Sequence, residues 1–233
     1  NDQGITGVCP ACRIMVIKVT GPDGQAQYHD IAAGITYAAQ NGADVINVSL
    51  RGRVNSSTLW RAVNEASRTA VVVSGAGNDG GASRVYPGAY DRVLAVAAVG
   101  RDGAKLESSG YGAWVDVSAP GSQIMTSRTG GRYWAKSGTS VSAAVVSGLA
   151  GLLMCQHTDW SPEKVRRQIV LTAEQIDEKN PGYEQQMGSG CINADRAFTA
   201  SLPARPVTEG SAAQEQIAHW IEMEIPLDLD LTS

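Results

Sequence analysis

A single phenylalanine, Phe198, stands among 233 residues, and aromatic residues make up only 6% of the chain. A core built on rings is therefore excluded, and the 43% hydrophobic content must work through Val, Ile, Leu and Ala. Charge is sparse as well, at 18%, with 19 Lys+Arg against 23 Asp+Glu and a formal net charge of -4. That balance excludes an overall basic nucleic-acid binder. Long apolar runs are missing too. Val141 to Cys155 is the longest, and Ser142, Ser147, Gly148 and Gly151 interrupt it short of the roughly eighteen residues a membrane span needs. Neither nucleic acid nor a membrane is expected as a partner. The chain starts Asn1-Asp2-Gln3 without an initiator Met or a signal-peptide pattern, as a mature form or a fragment would.

Glycine is plentiful, at 26 residues, and it punctuates a regular alternation. Arg13 to Val19 is a short β-branched apolar run closed by Gly21-Pro22-Asp23-Gly24, which predicts a buried strand. Ile31, Ile35, Ala38 and Ala39 recur at helical spacing up to a stop at Asn41-Gly42. Asp44 to Ser49 predicts a strand, Leu59, Val63 and Ala66 a helix, and Ala70 to Val73 and Val93 to Val99 two more strands. Strands that are apolar on both faces and alternate with helices predict an α/β domain, a mainly parallel sheet with helices on both faces. Shorter strand-like pieces follow at Trp114 to Val117, Ile124 to Thr126 and Tyr133 to Ala135. A long helix is expected from Gly138 to Cys155, another after Ser161-Pro162, and a short one over Asn193 to Thr199.

Composition shifts near Ser201. Residues 201–233 hold six acids and one base, whereas the rest holds 17 acids and 18 bases, so 1–200 reads as one domain and 201–233 as a linker and acidic tail. Ile221 to Ile225 and Leu227 to Leu231 alternate apolar and acidic residues around Pro226, as an edge strand opening a further domain would, or as a solvated tail could.

Two places could hold chemistry. Ser137-Gly138-Thr139-Ser140 precedes the long helix, where a serine is ordinarily a cap. A nucleophile there would put developing negative charge beside unpaired backbone N–H groups. Val71 to Val73 is a buried strand running into Ser74-Gly75-Ala76-Gly77-Asn78, and ligands in parallel sheets bind at the carboxyl ends of strands. Asn78 is then placed either as a side-chain donor or as an ordinary turn residue.

Together these segments resemble the subtilisin-like serine proteases. Gly138-Thr139-Ser140-Val141-Ser142-Ala143-Ala144 is similar to the block around the family's nucleophile, and Ala76-Gly77-Asn78 to its oxyanion-hole block. Gly42 to Leu50 is similar to its cleft-lining strand. Gly7-Val8-Cys9-Pro10, Tyr86-Pro87, Ser118 to Gly121 and Gly190 to Ala194 follow in the family's order, so the likeness covers about residues 1 to 200. The resemblance implies a secreted, extracellular endopeptidase whose substrate is a polypeptide. Ser140 would be its catalytic nucleophile, and Asn78 with the Ser140 N–H its oxyanion donors. Ser49 and Leu50 would pair with the substrate backbone, while Ser74, Gly75, Ala76 and Gly77 would form the far wall of a specificity pocket roomy enough for a large side chain.

Departures from the family pattern are equally specific. Its early Asp-Thr-Gly and His-Gly-Thr-His motifs, which supply the catalytic Asp and His, do not occur in this sequence. His29, His157 and His219 stand in no motif that replaces them, and each reads as a surface or capping residue. Arg51 stands where the family usually has Gly, and Ala144 where it usually has Pro. A missing N-terminal segment or a propeptide is thus an expected partner, and this chain alone is expected to be inactive. The alternatives are a non-catalytic peptide-binding module or one half of a two-chain enzyme. No cofactor is expected to be required. Asn1 to Ile5 resemble the family's calcium loop, so structural calcium is implied for an intact enzyme but no metal site for this chain. Cys9 and Cys12 form a Cys-x-x-Cys but Cys155 and Cys191 have no zinc-like spacing, and Cys9–Cys12 and Cys155–Cys191 are both open as disulfides that would suit an exported enzyme.

Overall fold

The computed structural model describes residues 4–201. The expected acidic tail, with its alternating strand, lies outside the described residues apart from Ser201.

Four parallel strands carry the fold. β1 (Val45–Val48), β2 (Val71–Gly75), β3 (Val93–Val99) and β4 (Val117–Pro120) are hydrogen-bonded in that order. Their apolar runs read continuously because alternate side chains feed different cores. Val72 and Val93 pack with α1 (Tyr28–Gln40) and α2 (Ser57–Ala66). Val71, Val73, Leu94 and Val96 pack on the other face with α3 (Thr139–Gln156) and α4 (Pro162–Leu171). Leu59 and Val63 of α2 are at most 1% exposed, and burying each contributes about 1.5–3 kcal/mol. The α/β class and the two covered faces are as the sequence predicts.

Helix ends follow local chemistry. Ser56 Oγ accepts from Leu59 N at 3.3 Å at the start of α2. Ser161 Oγ accepts from Lys164 N at 3.2 Å with Pro162 as the first residue of α4. α1 stops where Gly42 takes a φ of 79°. α5 (Ala194–Thr199) is capped by Asn193, whose side chain accepts from Arg196 N. α3 is long and apolar enough, by length and composition, to cross a membrane. Here Ala143, Val146, Leu149, Ala150 and Leu153 bury one side of it in the core beneath the sheet.

Three expectations need correction. Arg13 to Val19 forms no strand, and Ile14 and Val16 are 82% and 86% exposed. A strand needs a hydrogen-bonding neighbour, and this run has none among the described residues. Only its other face, Ile17 and Val19, packs against the α1–α2 cluster. Trp114 to Val117 is not a strand either until Val117; Trp114 and Val115 are buried, but as a loop packed with Met187 against Ala95, Ala97 and Val99 of β3. Of the two candidate disulfides, Cys9–Cys12 is formed, while Cys155 and Cys191 are free. The short pieces beyond Gly121 do pair, as the antiparallel hairpin β5 (Ile124–Arg128) and β6 (Arg132–Lys136), turned by Gly130 and Gly131 at φ 77° and 67°.

Candidate functional site

The parallel register brings the carboxyl ends of β1 and β2 to the same edge of the sheet, with Val48 opposite Ser74. The start of α3 meets them there. Gly75 permits that meeting, since a Cβ on it would stand 2.7 Å from Thr139 Oγ1 and 2.9 Å from the Thr139 carbonyl carbon. Gly77 then turns the chain at φ 92°, a left-handed conformation that favours glycine.

Asn78 is fastened to the helix start through its acceptor. Its Oδ1 accepts from Thr139 N at 2.9 Å and from Thr139 Oγ1 at 3.2 Å. Thr139 Oγ1 in turn accepts from the buried Gly77 N–H at 3.1 Å. With Oδ1 so engaged, Nδ2 is left as a donor with no protein acceptor among the described residues, on an exposed side chain. Ser140, half-buried, is the second residue of α3. Its N–H belongs to the first turn, which has no intrahelical acceptor. A hydroxyl and two donors therefore share one corner of the molecule, at a helix N-terminus that favours negative charge.

β1 is tied to the same corner. Asn47 Nδ2 donates to Ser49 Oγ at 2.9 Å, and Ser49 Oγ donates to the Ser140 carbonyl at 3.4 Å. Asn47 Oδ1 accepts from Ser147 Oγ at 3.1 Å, about two helix turns after Ser140 along α3. Ser49 is exposed, and Leu50 is half-buried against the α1–α2 cluster. Ser74, Gly75, Ala76 and Gly77 are all buried, and the Ser74 hydroxyl donates inward to Val48 O at 2.8 Å. Arg51 crosses from the β1 end to the residue after Asn78, forking onto Asp79 at 2.6 and 2.5 Å, with Arg53 at 2.6 Å. The Arg51 hydrogen bonds, aided by Arg53, hold the Asp79 carboxyl below its ordinary range.

No histidine among the described residues hydrogen-bonds Ser140. His29 lies 3.4 Å from Asp30 on the exposed first turn of α1. His157 stacks on Trp160 at 3.8 Å beyond the far end of α3, about 25 Å from Ser140 at the rise of a helix. His219, and residues 1–3 of the calcium-like loop, lie outside the described residues. Three ligand-type atoms do converge elsewhere: the sulfurs of Cys9, Cys12 and Cys155. Cys191 is not among them.

The sequence marks Ser140 and Asn78 as site residues but not the residue that joins them. Thr139 reads as one more hydroxyl at a helix start, and its partners lie 61 and 62 residues away. Asn47 reads as an outward strand residue for the same reason.

Residues 1–190 match the model of the subtilase family. The chain is similar to the thermophilic serine proteinase of Bacillus sp. (strain AK1), 41% identical over 200 residues that are 85% of this chain and 48% of that protein. It is also similar to thermitase of Thermoactinomyces vulgaris, at 39% identity over 84% of this chain and 69% of that protein. Among solved structures, patellamide maturation protease PatA has a TM-score of 0.78 at 29% identity, over 85% of this chain and 78% of that one. A protease of Pseudoalteromonas arctica PAMC 21717 has a TM-score of 0.76 at 31% identity, over 82% and 63%. The chain thus spans about half the length of the first of these relatives. Fold, site corner and likeness agree, and the chain belongs to the subtilase family of subtilisin-like serine proteases.

Proposed function

We propose that this chain carries the nucleophile and the oxyanion donors of a secreted endopeptidase that cleaves polypeptides through an acyl-enzyme on Ser140. The observation that carries this reading is the anchoring of Asn78 by its Oδ1 to Thr139, which leaves Nδ2 free beside Ser140. Attack by Ser140 Oγ on a scissile carbonyl turns the carbonyl oxygen into an oxyanion, which Asn78 Nδ2 and the Ser140 N–H receive. The hydroxyl proton must go to a base, since a serine hydroxyl is a poor nucleophile at neutral pH. In this reading a His oriented by an Asp arrives on a polypeptide segment outside this sequence, an upstream segment or a separate chain. The peptide backbone lies along Ser49–Leu50, with Ser74 to Gly77 as the opposite wall. Arg51 and Asp79 close the rim where the family usually has Gly. The chain alone is inactive.

The test incubates the full chain with a fluorogenic peptide and a serine-directed fluorophosphonate, with and without a segment bearing Asp-Thr-Gly and His-Gly-Thr-His. Cleavage only with the segment, lost in Ser140→Ala, is the expected result. Cleavage without it would overturn the dependence on an external base. Peptide binding without cleavage in either arm would make the chain a non-catalytic module instead.

A further inference from the structure

The segment before α1 crosses α3 where that helix has no side chains. A Cβ at Gly148 would stand 2.6 Å from Val8 Cβ, and one at Gly151 would stand 2.8 Å from Cys12 Sγ and 3.6 Å from Cys9 Sγ. Positions three apart share a helix face, so both glycines open the same side of α3, and the Cys9–Cys12 disulfide rests over the second. Cys155 is four residues after Gly151, one turn further along that face. Its Sγ and the two bridged sulfurs all lie within 4.8 Å of one another. Cys155 is exposed and carries no bridge. The other free thiol, Cys191, is outside the group, and burial pushes it above the ordinary thiol range.

A free thiol beside a disulfide is the starting arrangement for thiol–disulfide exchange. We propose that Cys9, Cys12 and Cys155 form an exchange site, in which Cys155 moves the bond from the local Cys9–Cys12 loop to a bridge between the segment before α1 and the end of α3. The Cys155 thiol loses its proton to solvent, and the thiolate attacks one bridged Sγ. A new S–S bond forms as the Cys9–Cys12 bond breaks, and the displaced sulfur leaves as a thiolate that takes a proton from water. One disulfide and one thiol stand on each side, so no oxidant or reductant is consumed.

The two isomers hold different things. Cys9–Cys12 closes a loop with a sequence separation of 3. A bridge from Cys155 closes a loop of roughly 140 residues and restricts the unfolded chain far more. It also fastens the segment whose Ile14 and Val16 are exposed to α3, the helix whose second residue is Ser140. The site is independent of the proteolytic reading, because no step of it involves Ser140 or Asn78.

The test holds the full chain at about pH 8.5, where an ordinary thiol is half ionised. After an acid quench, free thiols are alkylated and disulfide-linked peptides are mapped by mass spectrometry. Cys155 is expected in a bridge with Cys9 or Cys12 in part of the population, with a matching fraction of the displaced cysteine alkylated. Cys155→Ser should show Cys9–Cys12 alone. Cys9→Ser and Cys12→Ser, oxidised with glutathione disulfide, should each close a bridge from Cys155 to the remaining cysteine and melt at higher urea than when reduced. Wild-type chain with Cys155 alkylated in every molecule would overturn the proposal, as would failure of both single variants to bridge. Tight retention of one zinc ion by the reduced chain, with Cys155 never found bridged, would make the cluster a metal site and overturn it equally.

Discussion

Thr139 does two jobs with one hydroxyl: it accepts from the buried Gly77 N–H and donates to Asn78 Oδ1. Thr139→Val keeps the shape and removes the hydroxyl, leaving a buried donor unpaired. That change is expected to cost about 1–3 kcal/mol, read as a lower urea midpoint, whereas Thr139→Ser should retain most of the stability. Asn78→Ala removes the Nδ2 donor together with the Oδ1 that accepts from Thr139 N and Oγ1. In the segment-complemented enzyme, turnover should fall about 10²–10³-fold with little change in KM, a scale carried over from subtilisin itself rather than worked out from this site. An unchanged turnover would take Asn78 out of the oxyanion hole. The helix start at Ser140 and the strand end before Asn78 were legible because each is a short block with its own local signal. Thr139 was not, because its significance lies in contacts that only the folded sheet creates.

Elements show the same division between local and distant causes. α1 to α4 were legible from apolar spacing and from caps such as Ser161-Pro162, all of which act within one or two turns. Arg13 to Val19 carries as strong a strand signal as Val71 to Val73, yet only the latter has neighbours to pair with. β-propensity describes a fit to a sheet and cannot state whether the sheet is there. The join between β4 and α4 was likewise invisible in the sequence. Asp116, one residue before β4, accepts from Ala95 N at 2.7 Å and from Arg166 at 3.2 Å. Burial outweighs the Arg166 charge and pushes its carboxyl up to about 6. Since the unfolded value is about 3.9, the folded chain keeps a proton there that the unfolded chain has already released. The stabilisation is complete below about pH 4 and is lost as pH rises through about 6. Urea midpoints between those limits should therefore fall for wild type relative to Asp116→Asn, then run parallel above. A wild type that gains on the variant as pH rises would mean that the pairing with Arg166 outweighs burial.

For the whole molecule, the composition shift at Ser201 predicts where the folded unit ends. Gln168, 2% exposed, donates through Nε2 to Ala197 O and Ala200 O at 2.9 and 2.8 Å, so the core's own hydrogen bonds reach as far as Ala200. Removing residues 201–233 should leave the urea midpoint within the error of the full chain, and a truncated chain that fails to fold would show that the tail belongs to the core. The order of the site along the chain has one more consequence. Asn47 on β1, Ser49 just after it and Asn78 three residues beyond β2 come early, while Ser140 arrives only with α3, after β4 and the β5–β6 hairpin. During synthesis the β1 and β2 side of the corner therefore leaves the ribosome well before the α3 side. On the proposed reading, a nascent chain that stalls before Gly138 holds Asn78 with neither Thr139 to anchor its Oδ1 nor a nucleophile beside it.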